Sequence, residues 1–347
     1  NEKKYDVKKY TRENNLDDLK NSVKSVDCIV HLAGVNRPKK PKAFKEDNVN
    51  LTQKLCSLVS KESRNIPIIF TSSIQAENES DYGLSKYNSE KVISKFVKNT
   101  NKSAIIYRLP NVFGKWCKPD YNSVVATFCH NIANGIPIHI RDSNFEIPLI
   151  YIDDLVMNIA KILKNPPNGI LYKSVKPVYH IKLGQLAEKI KNFKNTRNIL
   201  EVSKVGKGLT RALYSTFISY LKPKNFYYEI PQHKDSRGSF VEMLKTKNSG
   251  QVSFFSAKSG VTRGEHYHHT KTEKFLVIRG NALFRFRNVI TSEYYELKTD
   301  SSVPTIVDTI PGWTHDIKNI GKDEMLVMLW ANEIFDPKAP DTYFKKI

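Results

Sequence analysis

Residues 260–280 read GVTRGEHYHHTKTEKFLVIRG: three histidines, His266, His268 and His269, then Glu273 and an alternating apolar run. The run has the period of a strand, not of a helix, so successive side chains fall on opposite faces. His266 and His268 therefore share a face, and His269 takes the other. Glu273 lies on the next strand segment, and a further histidine, His315, follows a turn at Pro311-Gly312-Trp313-Thr314. Three neutral imidazoles and a carboxylate suit Zn, with Fe, Mn or Ni able to take the same donors. The same residues also fit a catalytic base or a polar cluster without an ion, because ligand types alone do not establish a metal.

Outward from this stretch, the chain after about residue 230 consists of short runs: QVSFFSA, EKFLVIRG, NALFRFRNV, EYYELKT, PTIVDTI and EMLVMLW. Gly, Asn, Asp or Pro separate them, the habit of a small all-β barrel or sandwich. Before residue 170 the pattern differs. VDCIVHLA (26–33), IPIIFTSS (66–73) and SAIIYRLP (103–110) are continuous apolar runs, as in buried parallel strands. Helical periods lie between them, at Leu16, Leu19 and Val23, and at Val92, Ile93, Phe96 and Val97. A third helix is expected over 122–134, stopped by Gly135, and a fourth in IDDLVMNIAKIL, opened by Asp153 and Asp154. This alternation predicts a doubly wound, Rossmann-like α/β sheet. The segment LKPKNFYYEIPQHKDSRG (221–238) reads as the junction, so the expected domains are 1–225 and 233–347.

With 347 residues the chain exceeds one typical domain. Its formal charge of +20 comes from 55 Lys and Arg against 35 Asp and Glu, spread along the whole length. No basic run interleaved with aromatics and no recognition-helix signature appears, so no nucleic-acid partner is expected. A basic surface suits a nucleotide-linked substrate. No membrane span is expected, since no run of about 18 apolar residues occurs, and no secretory signal is expected from the charged N-terminal residues. Cys28, Cys56, Cys117 and Cys129 show no CxxC spacing, which argues against a disulfide framework and for the cytoplasm.

In the first half, Tyr82-Gly-Leu-Ser-Lys86 places a phenol and an ammonium four residues apart, on one helix face. A phenol with a pKa of about 10 becomes a useful proton donor near neutrality if a neighbouring cation pulls that value down. Ser73, at the end of IPIIFTSS, is placed to bond the same reacting oxygen. A surface Tyr–Lys pair is the plain alternative. Val30-His31-Leu32-Ala33-Gly34 ends a strand in small residues, where a backbone can approach a ligand closely.

These pieces, with Arg108-Leu-Pro110-Asn111-Val112-Phe113-Gly114 and Ile150-Tyr-Ile-Asp153-Asp154 in order, resemble the extended short-chain dehydrogenase/reductases that act on nucleotide sugars. The resemblance covers roughly residues 5 to 220. It implies Ser73, Tyr82 and Lys86 as the catalytic group, with Lys86 also on the cofactor. It implies His31, Leu32, Ala33 and Gly34, and Pro110, Asn111 and Val112, as cofactor-lining, with Asn111 near the substrate diphosphate. The family begins with a strand and a GxxGxxG turn that this chain lacks. KKYDVKKYT then reads as the second strand, with Lys9 near an adenosine 2′-phosphate and NADPH as the implied cofactor. A parent longer by about 20–25 residues is expected, the length of one strand, turn and helix. The short spacing from Ser73 to Tyr82 is a second departure from the family.

In the second half, Gly260, five residues, His266-x-His268, four residues, Glu273, six residues and Gly280 resemble the first cupin motif. Pro311-Gly-Trp-Thr-His315-x3-Asn319 resembles the second, its proline one place nearer the glycine than usual. His266, His268, Glu273 and His315 are the implied ligands, with Zn as the metal. Asp235-Ser-Arg-Gly-Ser-Phe240 and Ser259-Gly-Val-Thr-Arg263-Gly-Glu-His266-Tyr look like stretches of the dTDP-4-keto-6-deoxyhexose 3,5-epimerases, where the residue at His266 is the base. One histidine cannot be ligand and free base together; His268 and Glu273 beside it favour ligand.

A reductase followed by a cupin, with HLAGVNRP, NVFGKWCKPDYNSV, HHTKTEKF and NEIFDPKAPDTYF, is similar to the CapF family of bifunctional capsular polysaccharide enzymes. That similarity implies C3 epimerisation of a UDP-2-acetamido-2,6-dideoxy-4-hexulose and then NADPH-dependent reduction at C4. The implied product is UDP-N-acetyl-6-deoxy-L-talosamine, on the way to UDP-N-acetyl-L-fucosamine, and a homodimer is expected by family habit. Other readings stay open: a chain active only as an epimerase, a non-catalytic sugar-binding or oligomerising cupin, or an Fe-dependent dioxygenase.

Overall fold

In IPIIFTSS, Ile68 and Phe70 leave the strand on one face and Ile69 on the other, and each face meets its own helices. The computed structural model describes residues 5–38, 40–231, 233–235, 238–240, 243–246, 250–333 and 336–347. Two compact units are present: Asn1–Val112 with Pro148–Val178, and Phe113–Ile147 with Tyr179–Ile347.

The first unit contains α1 (Leu16–Ser25), β1 (Ile29–His31), α2 (Leu51–Ser60), β2 (Ile68–Ser73), α3 (Asp81–Thr100), β3 (Ala104–Leu109), α4 (Ile152–Lys164) and β4 (Ile170–Lys173). The strands form one sheet in the order β1-β2-β3-β4, every neighbouring pair parallel. Leu19 and Val23 of α1, Leu55 and Val59 of α2, and Ile93 and Phe96 of α3 cover Ile68, Phe70 and Ile106. Leu155 and Ile162 of α4 cover Ile69, Ile105 and Tyr107 on the other face. Covered on both faces, these strands can be apolar throughout, as their sequences require. The expected Rossmann-like sheet is therefore present.

KKYDVKKYT departs from expectation. Among its described residues, 5–11, no strand forms, and β1 pairs only with β2. An alternating segment becomes a strand only where a neighbouring edge takes up its backbone hydrogen bonds. Lys9 is exposed there.

In the second unit the helix Val124–Ala133 packs with α5 (Leu183–Ile199) and α6 (Gly208–Ile218). Two five-stranded sheets follow. They are built from β5 (Tyr227–Glu229), β6 (Gln251–Ala257), β7 (Thr262–Tyr267), β8 (Glu273–Arg279), β9 (Asn281–Asn288), β10 (Tyr294–Asp300), β11 (Thr305–Asp308), β12 (Trp313–Asn319), β13 (Met325–Ala331) and β14 (Tyr343–Phe344). One sheet runs β6-β13-β8-β11-β5 and the other β10-β9-β12-β7-β14, with antiparallel pairing throughout. Every strand run read from the second half is recovered, and the region is cupin-like. Between the sheets Phe275 meets Phe284, ring centroids 5.9 Å apart. Packing and hydrophobic period divide the chain differently: 113–147 and the helices up to residue 218 pack with the antiparallel sheets.

Among the described residues no helix is long and apolar enough to cross a membrane. All four cysteines are free.

Candidate functional site

In the first unit, β2 ends at Ser73, whose hydroxyl caps the short turn Ile74–Glu77 by accepting from Gln75 N at 3.1 Å. The chain then enters α3 through Ser80, which caps Gly83 N. Gly83 is required at this entry, because a Cβ there would lie 2.2 Å from the Gln75 carbonyl. This close entry brings Tyr82 back towards the end of β2, near enough for the Ser73 hydroxyl to act on its phenol. The short Ser73–Tyr82 spacing thus still lets the two side chains meet.

Lys86, one turn further along α3, is 5% exposed and donates to the Thr71 carbonyl at 2.9 Å. Its Nζ lies 4.9 Å from the Phe70 ring centroid and 5.9 Å from that of Tyr82. Burial pulls its ammonium down to about 8, against the field of Glu90. The expected effect of Lys86 on the phenol is not what the environment produces. Burial pushes the Tyr82 phenol above its usual value, and the opposing influence is the Ser73 hydrogen bond. The reason is that a buried phenol loses water, and the lysine is anchored on a carbonyl rather than on the phenol oxygen.

His31 is buried, bonded to Thr52 Oγ1 at 3.0 Å, and pushed down to about 4 by burial and then by Lys86. Gly34 faces Asn48 and Lys86: a Cβ there would lie 3.1 Å from Asn48 Oδ1 and 3.4 Å from Lys86 Nζ. Leu32 and Ala33 are exposed beside it. Asn111 is exposed as well, with Nδ2 donating to the Pro148 carbonyl at 3.1 Å, while Pro110 and Val112 on either side are half-buried.

Two residues absent from the motif reading hold this site. Asn48, in the π-helical turn Phe44–Asn50, accepts from Val35 N at 2.7 Å and donates to Val35 O and Ser85 Oγ. Glu90, 1% exposed, accepts Ser72 Oγ at 2.5 Å and both Nε and Nη2 of Arg108.

In the second unit, β7 carries His266 and β12 carries His315 directly opposite it. A bulge between Gly264 and His266 sets that phase, with Glu265 in the left-handed region at φ 59°. Gly264, φ 111°, lets the strands close up, since a Cβ would lie 2.9 Å from the His315 carbonyl. His268 follows β7, and Glu273 opens β8 in the other sheet. The turn before His315 is pinned by Gly312 N, which donates to the His268 carbonyl at 2.9 Å. Gly312 also leaves room for Trp116, whose indole a Cβ would meet at 2.6 Å.

The structure brings together all four residues expected as ligands. Their donor atoms lie within 4.8 Å of one another. Ring centroids are 4.9 Å apart for His266–His268, 4.8 Å for His266–His315 and 5.2 Å for His268–His315. His269 turns elsewhere, its ring against Tyr267 and Tyr343. His268 Nε2 is 3.1 Å from Glu273 Oε2, and Lys271 Nζ is 3.0 Å from Oε1. Burial drives the His266 imidazole down to about 4, with His315 and His268 adding to it. Burial also lowers His315, against Glu273. Burial raises the Glu273 carboxyl, but the His268 hydrogen bond, the adjacent His315 ring and the Lys271 charge win and hold it well below the usual range.

His315 tests the fit to a metal. It is 5% exposed, and neither ring nitrogen has a hydrogen-bond partner. The nearest carboxylate oxygen is 3.6 Å from Nε2, too long for a hydrogen bond. A buried imidazole without a partner, beside two more and an ionised carboxylate, is a donor set that a divalent transition metal satisfies.

Lys271 and Asp341 were not singled out by the sequence. Asp341 gathers the backbone N–H groups of His269, Thr270 and Lys271. In the epimerase-like stretch 235–240, Ser236 and Arg237 lie outside the described residues, as do Ile334 and Phe335 of the closing motif.

Comparison with known proteins agrees with this two-part layout. Residues 5–176 match the NAD dependent epimerase/dehydratase family and residues 233–343 the polysaccharide biosynthesis C-terminal domain. The chain is 53% identical over 338 residues to a UDP-2-acetamido-2,6-beta-L-arabino-hexul-4-ose reductase of Pseudomonas aeruginosa, covering 97% of this chain and 91% of that protein. It is also similar to crystal structures of the capsular polysaccharide assembling protein CapF of Staphylococcus aureus. One gives a TM-score of 0.63 at 38% identity, and a second crystal form 0.56 at 34%, each covering 97% of this chain and 91% of that one.

Proposed function

Because the chain belongs to the family of CapF-like proteins, which join an epimerase/dehydratase region to a polysaccharide biosynthesis C-terminal domain, we propose that it modifies a nucleotide sugar at two sites. The cupin-like region epimerises C3 of a UDP-2-acetamido-2,6-dideoxy-4-hexulose. The reductase region then reduces the C4 ketone with NADPH to UDP-N-acetyl-6-deoxy-L-talosamine. The Pseudomonas relative is a reductase of a hexul-4-ose, which supports C4 as the ketone reduced here.

The C3 hydrogen of such a sugar is acidic because the neighbouring carbonyl delocalises the charge left on its removal. Removal from one face and return to the other inverts the centre. A divalent metal, held by His266, His268, Glu273 and His315, would supply positive charge to that developing oxyanion. Lys271 bonds the outer oxygen of Glu273 and leaves Oε2 directed at the histidines.

A nicotinamide dinucleotide, the cofactor class of the family, supplies hydride to C4. Tyr82, kept protonated by burial, gives its proton to the alkoxide as that oxygen becomes more basic than the phenol. Ser73 orients the phenol from the end of β2. The Lys86 ammonium, anchored on Thr71, lies beside the space that Gly34 leaves open, a position suited to a ribose hydroxyl.

The observation that carries this reading is that one chain holds both sets: a serine–tyrosine pair with a buried lysine, and three imidazoles with a carboxylate in which neither ring nitrogen of His315 has a hydrogen-bond partner. Incubation with the 4-keto UDP-sugar in D2O, without NADPH, tests the first step. Deuterium appearing at C3 supports it; metal-loaded protein that leaves C3 unlabelled sinks it. Adding NADPH tests the second, read as NADPH oxidation and a 4-hydroxyl product.

A further inference from the structure

The C-terminal segment runs alongside every histidine of the cluster. β14 pairs with β7 at His266 and Tyr267. Lys345 N donates to the Glu265 carbonyl at 2.8 Å, and Thr314 Oγ1 donates to the Lys345 carbonyl at 3.2 Å, next to His315. Tyr343 stacks on Tyr267 with centroids 5.4 Å apart.

Asp341 stands where this segment meets the loop between His268 and Glu273. One carboxylate oxygen accepts His269 N at 2.9 Å. The other accepts Thr270 N at 2.6 Å, Lys271 N at 2.8 Å and the Thr270 hydroxyl at 2.8 Å. The backbone carbonyl of the same residue lies 2.5 Å from His268 Nδ1. A carbonyl can only accept, so Nδ1 carries a proton and donates it to Asp341; Nε2, which faces the Glu273 carboxylate, is the nitrogen left to give up its own proton and take a metal. The loop it gathers also carries Lys271, whose ammonium fixes the outer oxygen of Glu273. One residue thus governs the tautomer of one ligand, the loop joining two ligands, and, through Lys271, the orientation of the carboxylate.

We propose that Asp341 is a positioning residue of the metal centre, its side chain fixing loop 269–271 and its carbonyl fixing His268 in the tautomer that offers Nε2 to a metal. This rests on reading the four-residue cluster as a metal site. The competing role is a loop cap that stabilises the fold alone. Such a cap would lower the unfolding midpoint of metal-free and metal-loaded protein alike and leave metal affinity and tautomer unchanged.

The experiment titrates Zn2+ into the full chain in competition with a chromophoric chelator, for wild type, Asp341→Ala, Asp341→Asn and Asp336→Ala. Imidazole nitrogen shifts of the metal-free proteins report the His268 tautomer. Removal of an outer-shell partner is expected to weaken Zn2+ binding by about 10- to 100-fold in Asp341→Ala. Asp341→Asn, which retains one acceptor oxygen, should lose less. In Asp341→Ala the Nδ1 proton of His268, with its carbonyl anchor loosened, should be lost from part of the population. Asp336→Ala removes only a local turn contact to Lys338 N and should match wild type. Zn2+ affinity within twofold of wild type, with the tautomer unchanged, in a folded variant overturns the proposal; should Asp341→Ala fail to fold, Asp341→Asn decides it. If wild type itself binds neither Zn2+ nor Mn2+ nor Ni2+, the metal reading falls and this inference with it. Tight binding by wild type and variants alike overturns this inference only.

Discussion

His266 stands directly across the β7–β12 ladder from His315, ring centroids 4.8 Å apart, because a one-residue bulge at Glu265 sets the phase of β7. Without that extra residue the two side chains would fall on opposite faces of the sheet. The pair makes a sharp prediction. His315→Ala removes a ring whose nitrogens make no hydrogen bond and only a long 3.6 Å approach to Glu273, so the metal-free fold should keep its unfolding midpoint within a small margin. Zn2+ affinity should fall by more than the about 100-fold upper range seen for outer-shell changes, and deuterium exchange at C3 should stop. Retained tight Zn2+ binding would show that His315 is no ligand.

Tyr82→Phe should separate the two reactions. The ring still packs, but the proton that the C4 alkoxide needs is gone, so NADPH oxidation should fall by about 10²- to 10⁴-fold. Exchange at C3, which the proposed function gives to the other unit, should proceed at the wild-type rate. Equal loss of both activities would mean that Tyr82 acts on the fold rather than on the ketone.

What the sequence revealed and what it concealed divide on physical lines. His266 and His268 could be read because strand alternation puts them on one face, and Glu273 and His315 because their spacing resembles the two cupin motifs. Tyr82 and Lys86 could be read because a helix brings i and i+4 together. Asp341, Asn48 and Glu90 could not, since each acts through hydrogen bonds to residues set by tertiary contact. Asp341 reaches back 70 residues to Lys271, and Glu90 reaches Ser72 and Arg108, each 18 away. KKYDVKKYT has strand character, but its described residues, 5–11, form no strand, because pairing depends on a neighbour and not on its own alternation. The direction of the Tyr82 shift was hidden for a similar reason, since burial outweighs the adjacent cation and burial is not a local property.

Acid should destabilise the first unit through His31. Its folded value, about 4, lies below the ordinary 6.5, so the folded state resists a proton that the unfolded state accepts. The stability that this difference represents is complete above about pH 6.5 and is lost as pH falls towards 4. Urea midpoints of wild type should therefore drop between pH 7 and pH 4.5 by more than those of His31→Gln, which has no proton to gain. Parallel pH profiles would remove His31 as the cause.

Removing the Lys274 charge should be costly. It is 2% exposed, its Nζ lies 2.5 Å from Asp308 Oδ1, and Arg197 Nη2 holds the other oxygen at 2.5 Å. These three residues tie β8, β11 and α5 together, with the Tyr228 ring 5.2 Å from the ammonium and 4.9 Å from the guanidinium. Lys274→Met leaves a buried carboxylate with one of its two cations. Breaking a buried pair from one side typically costs about 3–5 kcal/mol, and the remaining Arg197 places the expected loss near the lower end. Chemical unfolding of metal-free protein reads this directly, and a loss below about 1 kcal/mol, the range of exposed pairs, would contradict it. The side chain of Lys274 points away from that of Glu273, its neighbour on the strand. Zn2+ affinity of the folded Lys274→Met protein should therefore stay within a few-fold of wild type, in contrast to Asp341→Ala, where affinity and not stability is the quantity that moves.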